Sequence, residues 1–273
     1  MKKIILLCVI ISLCSNVWAQ DYVQIGNDSI HFEIKGSGEP WIILVHGVTG
    51  RLEDLNPIFY WLSQKTTVVR YSRAGNGFST YHQRNKTFDS CVEELNVFLE
   101  KINAPDKVIL GGFSFGGLIT RAFATKYPER VQALVSLEAT FEEYFKVLSE
   151  IEPNAVEMET ESMYGRDSLK IPIGIRDDLN ALFHVWKSPE KWDTWFNYPE
   201  SIPHCMITAT HVNMVPLRTT EEFMQARYEA QKRIIEKSKT MIHIVLPDAD
   251  HYVIGQNPGI CIDAFDMMIH LTN

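Results

Sequence analysis

The chain has 273 residues, of which 45% are hydrophobic, 22% charged and 11% aromatic. Those proportions are ordinary for a soluble globular protein and exclude disordered, collagen-like and fibrous classes. With 26 basic against 34 acidic residues the net charge is -8, and without a clustered basic stripe nucleic acid is not an expected partner.

Residues 1–19 are expected to be an export signal. Lys2 and Lys3 form a positive start, Ile4 to Leu13 is almost wholly apolar, and Val17-Trp18-Ala19 ends on a small residue. The apolar run is too short for a membrane span, which takes about 20 residues. A lipoprotein signal would carry a small residue before Cys14, where Leu13 stands. Cleavage would leave one domain over 20–273 with no membrane span, in the periplasm or outside the cell; an uncleaved anchor is the alternative. Cys8 and Cys14 leave with the signal. The remaining Cys91, Cys205 and Cys261 are expected as buried free thiols, with a Cys205–Cys261 bridge as the alternative. There is no Cys-x-x-Cys and no histidine pair at ligand spacing, so neither metal nor cofactor is expected.

Strands and helices alternate along the mature chain. Tyr22–Gly26 and Ile30–Lys35 look like short strands, and Gly36-Ser37-Gly38 turns the chain. Trp41–Val45 is a continuous apolar run, as a strand covered on both faces requires. Thr66–Tyr71, Lys107–Leu110, Val131–Leu137, His204–Thr208 and Met241–Leu246 are similar segments. Between them, Phe88, Val92, Leu95, Leu99 and Ile102 recur at helical spacing. A helix over Leu118 to Tyr127 stops before Pro128, and a last helix runs from about Pro258 to Leu271. This alternation predicts an α/β fold with a mostly parallel sheet and helices on both faces.

One stretch breaks the rhythm. Some sixty residues between Glu138 and His204 contain no good strand but carry Tyr144, Phe145, Tyr164, Phe183, Trp186, Trp192, Trp195, Phe196 and Tyr198. A helical cap at about 139–201 is expected, its aromatics shared between its own core and a pocket. The acidic run Glu142, Glu143, Glu150, Glu152, Glu157, Glu159 and Glu161 lies in the same stretch. It is either a solvated face or an attraction for a cationic substrate.

The sharpest chemical feature is Gly112-Phe113-Ser114-Phe115-Gly116, with an apolar strand before it and a helix after it. A tight strand-to-helix turn exposes the serine hydroxyl, glycines relieve the crowding, and the helix N-terminus favours developing negative charge. Trp41-Ile-Ile-Leu-Val-His-Gly-Val48 and Tyr71-Ser-Arg-Ala-Gly-Asn-Gly-Phe-Ser79 complete the set. In these segments the chain resembles the α/β-hydrolase fold family over nearly all of its mature length, in the branch with a serine nucleophile and esterase-like activity. Ser72 stands where the family's loop usually carries Asp, a departure expected to affect only loop packing.

Acyl transfer needs backbone N–H groups aimed at the oxyanion. One is expected from Phe115, directly after the nucleophile, and by resemblance the other from Val48. The base is expected to be His251, which follows the last strand as the family's histidine does. His46 belongs to the oxyanion turn, His243 lies inside a strand, and His82, His184 and His211 lack such a context. The acid departs from the common pattern: Ala209-Thr-His-Val-Asn-Met-Val-Pro216, where most relatives place Asp, contains no carboxylate. Asn213 cannot supply the charge an imidazolium needs. Glu138 ends the preceding strand, where some relatives carry the acid, and it keeps the chain order Ser, acid, His. A Ser–His dyad is the alternative, and Asp248 and Asp250 are not expected to reach the imidazole.

The resemblance implies a serine hydrolase acting on a small to medium carboxylic ester through an acyl-enzyme on Ser114. A proline iminopeptidase-like amidase or a carbon–carbon bond hydrolase would use the same triad. A non-catalytic ligand-binding homologue is the third class, supported by the missing acid after the seventh strand.

Overall fold

The computed structural model describes residues 21–82, 85–164, 171–210, 221–236 and 240–272. The expected export signal, His211 and Asn213 lie outside the described residues. Among the described residues the eight strands are Asp21–Ile25 (β1), Asp28–Lys35 (β2), Ile42–Val45 (β3), Val68–Tyr71 (β4), Val108–Phe113 (β5), Val131–Leu137 (β6), His204–Ala209 (β7) and Met241–Leu246 (β8). They form one sheet in the order β1-β2-β4-β3-β5-β6-β7-β8. Both pairings of β2, with β1 and with β4, are antiparallel, and every pairing from β4 through β8 is parallel.

Burial on both faces explains the strand sequences. Ile42, Ile43, Leu44 and Val45 are all wholly buried, and their side chains divide between two hydrophobic cores. Ile43 and Val45 join Leu95, Phe98 and Leu99 of Phe88–Lys101 (α2) and Leu118, Ile119 and Phe123 of Phe115–Lys126 (α3). Ile42 and Leu44 face Phe59 of Asn56–Leu62 (α1) and Phe265 of the C-terminal helix Pro258–Thr272. The cores lie on opposite sides of the sheet because successive strand residues point to opposite faces. β5 runs three residues further than its apolar run indicates, through Gly111, Gly112 and Phe113, and α3 begins at Phe115 rather than Leu118. Only Ser114 separates the two elements.

Among the described residues four α-helices lie between β6 and β7: Tyr144–Ile151 (α4), Ala155–Tyr164 (α5), Ile173–Trp186 (α6) and Trp192–Phe196 (α7). Their aromatics sort into two groups. Phe145 and Phe183 stack with ring centroids 5.6 Å apart, inside the helical layer. Tyr144 and Trp186, 4.5 Å apart, face a cavity over the sheet. After β7 comes Glu221–Glu236 (α8), and after β8 Val253–Gln256 (α9) precedes Pro258–Thr272 (α10). Among the described residues no helix is long and apolar enough to cross a membrane. Cys91, Cys205 and Cys261 are buried free thiols, as expected.

Candidate active site

The site is assembled at the C-terminal ends of the parallel strands, where ligands bind in open α/β sheets. Ser114 joins β5 to α3 with φ 52° and ψ -120°, a left-handed conformation that a side-chain-bearing residue adopts rarely. The turn holds because its flanks are glycine. A Cβ on Gly116 would overlap the Val45 carbonyl oxygen, and one on Gly112 would lie 2.5 Å from the Gly116 carbonyl oxygen. The Ser114 hydroxyl is left projecting above the N-terminus of α3.

His251 lies in the loop between β8 and α9. Its Nε2 is 3.0 Å from Ser114 Oγ. The imidazole packs against Phe113, centroids 5.1 Å apart, and the next residue is anchored because Tyr252 Oη donates to the Asp54 carbonyl at 2.8 Å. Glu138 directly follows β6, also with positive φ, at 47°. Its Oε1 is 3.5 Å from His251 Nδ1, at the outer limit of hydrogen-bond reach. The structure therefore brings Ser114, His251 and Glu138 into one line. Asp250 turns away, accepting from the Tyr252 backbone N–H at 2.8 Å.

Glu138 is 2% exposed, so its charge needs partners. Oε2 accepts from the Ala209 backbone N–H at 2.7 Å, and Oε1 accepts from the Arg227 guanidinium of α8. Arg227 in turn donates to the Ala209 carbonyl at 2.5 Å. Burial works to raise the carboxyl pKa. Arg227 and then His251 outweigh it and hold Glu138 below the usual carboxylate range, as the anion. Position 209 ends β7, and its backbone binds the carboxylate that follows β6.

Val48 follows β3 and lines the space over Ser114 together with His251. Phe115 is the first residue of α3 and is wholly buried. Two spaces meet at Ser114. A cavity of about 70 Å³ beneath the inserted helices is walled by Phe141, Tyr144, Leu182, Trp186 and Phe223, all 5% exposed or less. A cleft of about 450 Å³ opens on the other side, between the Gly47–Gly50 turn and exposed Tyr252. Part of the acidic run is spent on structure: Glu142 takes a two-pronged contact from Arg121 at 2.8 and 3.0 Å, and Glu143 pairs with Arg233 at 2.5 Å. Ser72 accepts from the Leu52 backbone N–H at 3.1 Å and does not reach the triad, in line with a loop-packing role.

Arg227 lines the site, and Arg73 and Asp178 lie behind the turn that carries Val48. Arg227 sits 89 residues from Glu138 on a helix of mostly polar composition, and no local pattern marks it. Arg73 stands within the quoted Tyr71–Ser79 loop, where its presence in the motif was the available signal. Asp178 lies on α6 with no such signal.

The sequence profile of the alpha/beta hydrolase fold family matches residues 40–166. Among curated proteins the chain is 30% identical over 140 residues to a proline iminopeptidase from Thermoplasma volcanium, covering 48% of each chain. It is 26% identical over 118 residues to a 2-(acetamidomethylene)succinate hydrolase from Mesorhizobium japonicum, covering 43% of this chain and 42% of that one. The matched region thus spans about half the length of these relatives or less. A carboxylesterase structure from the ammonia-oxidizing thaumarchaeon Nitrososphaera gargenis superposes with a TM-score of 0.66 at 16% identity, over 92% of this chain and 98% of that one. At that identity the likeness extends to the fold.

Proposed function

We propose that this chain, whose residues 40–166 match the alpha/beta hydrolase fold family and whose fold is shared with a carboxylesterase structure, is a serine esterase acting on carboxylic esters with a short acyl group. The observation that carries the proposal is the line Ser114 Oγ, His251 Nε2, His251 Nδ1, Glu138 Oε1, with separations of 3.0 and 3.5 Å across its two gaps. His251 takes the Ser114 proton as Oγ attacks the carbonyl carbon. It returns that proton to the leaving alkoxide, and then activates the water that releases the acid. Val48 and Phe115 supply the N–H groups for the oxyanion, and Glu138 stabilises the imidazolium.

Substrate size follows from the two spaces. The leaving alcohol departs first and needs a way out, so it occupies the cleft toward Tyr252, and the acyl group occupies the enclosed cavity. A cavity of about 150 Å³ accepts a benzene ring, so the roughly 70 Å³ here suits an acyl chain of about two to four carbons. Apart from Ser114, His251, Thr140 and the mutually paired Glu138 and Arg227, the cavity lining is apolar, which favours an uncharged acyl group.

A proline iminopeptidase-like reading is favoured by the Thermoplasma volcanium relative. It asks for a carboxylate facing the free amine of the substrate, and Glu138, the carboxylate at the enclosed cavity, is already paired with Arg227 and His251. Hydrolysis of nitrophenyl acetate, butyrate and octanoate beside a prolyl arylamide separates the two. The esterase predicts turnover of the first two, a fall of tenfold or more at octanoate, and dependence on Ser114. Faster turnover of the arylamide, or a preference for octanoate, would overturn it. By its N-terminal residues we also assign the protein to the periplasm or the exterior; N-terminal sequencing of the protein recovered outside the cytoplasm, beginning at Gln20 or Asp21, tests that.

A further inference from the structure

Behind the turn that carries Val48 lies a buried charge network that the triad does not use. Arg73, wholly buried, donates through Nη1 to the His46 carbonyl at 2.6 Å and through Nη2 to the Gly47 carbonyl at 2.7 Å. The same Nη2 donates to Asp178 Oδ2 at 2.7 Å, across 105 residues of sequence. His46 adds to the arrangement. Its Nε2 accepts the Arg73 backbone N–H at 3.1 Å, so its ring proton is on Nδ1, which donates to the Gly47 carbonyl at 2.7 Å. Burial and the adjacent Arg73 push the His46 pKa well down, consistent with that neutral tautomer.

The Gly47 carbonyl and the Val48 N–H belong to one planar trans peptide and point in opposite directions. Two donors holding the carbonyl toward Arg73 therefore aim the N–H away from it. Arg73 is also placed against the second donor residue, its guanidinium 5.3 Å from the Phe115 ring centroid.

Asp178 is the other end of the network. It belongs to α6 of the inserted helices, is 0% exposed, and accepts from Asn76 Nδ2 at 2.9 Å and Lys86 Nζ at 2.8 Å besides Arg73. The backbones meet directly beside it: a Cβ on Gly174 of α6 would overlap Gly75 of the loop after β4. At this corner the inserted helices are fastened to the sheet by a glycine contact and a buried ion pair.

We infer that Arg73 and Asp178 are positioning residues for the oxyanion site: Asp178 orients Arg73, and Arg73 fixes the Gly47–Val48 peptide that presents the Val48 N–H. The inference rests on the proposed roles of Ser114 and Val48. It makes the inserted helices part of the oxyanion site as well as the wall of the acyl cavity. An unpaired buried charge destabilises a fold, so the informative variant is the double Arg73→Met/Asp178→Asn, which removes the Arg73–Asp178 pair together and leaves Lys86 its bond to the Ala74 carbonyl and the nearby Glu94 carboxylate.

The test measures kcat and KM for nitrophenyl acetate, the Ki of an alkyl trifluoromethyl ketone, and the melting temperature. In the ketone adduct Ser114 Oγ bonds to the carbonyl carbon, its proton passes to His251, and the carbonyl oxygen becomes the anion that the two N–H groups receive. The double variant is expected to lose about 10²-fold in kcat, with KM within about twofold and the ketone weakened by the same factor as kcat. Lys86→Met is the comparison, since it removes an ion pair to the same carboxylate without touching the oxyanion turn. It should lower the melting temperature and keep kcat within about twofold. A folded double variant with wild-type kcat and ketone affinity overturns the inference, as does an equal kcat loss in Lys86→Met. If the wild type neither turns over ester nor reacts with a fluorophosphonate at Ser114, the proposed function fails and this inference with it. Wild-type turnover with indifferent variants faults this inference alone.

Discussion

At the scale of single residues, the acid is where this chain makes its own arrangement. Glu138 directly follows β6, and its carboxylate is held by Arg227, by the Ala209 N–H and by His251. Glu138→Gln should lower kcat by about 10²- to 10⁴-fold, as loss of a triad acid does elsewhere. Because that change strands Arg227, the Glu138→Gln/Arg227→Met protein is the control for folding, and circular dichroism with ester kinetics on both variants checks it. Arg227→Met alone carries a signed prediction. Burial raises the Glu138 pKa and Arg227 opposes it, so without Arg227 the carboxyl protonates at higher pH, and the acid limb of kcat/KM moves upward. An unmoved limb would show that Arg227 does not keep the acid ionised. Glu138 was legible as a candidate because a carboxylate closing a buried apolar strand needs a partner. Arg227 was not, because an arginine among the many polar residues of α8 looks like any solvated helix side chain.

Among the elements, the strand limits were readable wherever both faces are covered. β3, β6 and β8 begin and end within a residue of their apolar runs. The end of β5 was not, because Gly111 and Gly112 carry no hydrophobic signal and extend the strand because β6 pairs with them through Val135 and Ser136 and β3 through Leu44 and Val45. The same glycines make the nucleophile turn, so the gap in the pattern coincides with the site. Gly116→Ala tests that turn. The added methyl meets the Val45 and His46 carbonyls and must displace the end of β3, which leads into the Val48 turn. A cost of about 1–3 kcal/mol in urea unfolding and at least a tenfold loss of ester turnover are expected. Unchanged turnover would mean that the two turns are not mechanically joined. The inserted helices were legible as an aromatic-rich break between β6 and β7. Which aromatics face the cavity was not, since Phe145 and Tyr144 are neighbours in sequence and only packing assigns one to the helical layer and the other to the cavity.

For the molecule as a whole, stability should depend on pH through buried neutral histidines. His204 is 0% exposed and bonded at both ring nitrogens, to Ser136 Oγ at 2.8 Å and to Tyr198 Oη at 2.7 Å. Burial, with a smaller push from Arg121, takes its pKa down to about 3, and His46 is shifted the same way. Below the ordinary histidine pKa the unfolded chain binds protons that the folded one refuses, so stability is lost as pH falls from about 6.5 toward 3. His204 contributes a slope of about 1.4 kcal/mol per pH unit within that window, and His46 adds a loss of the same sign. Asp178, held near 2 by Arg73 and Lys86 against its burial, adds its own loss only below the ordinary aspartate range. Urea titrations at pH 7.5, 6.5 and 5.5 should show the fall beginning at the middle value. A flat profile down to pH 5 would contradict the neutral assignment of both rings. The proposed chemistry turns on one bond, from Ser114 Oγ to an acyl carbon. Rapid quenching of the protein with nitrophenyl acetate, followed by peptide mass mapping, tests it most directly. The acetyl group should appear on the peptide containing Ser114, accumulate in Glu138→Gln only at a much reduced rate, and be absent from Ser114→Ala. Turnover of the ester with the acetyl group on another residue, or undiminished turnover in Ser114→Ala, would contradict it.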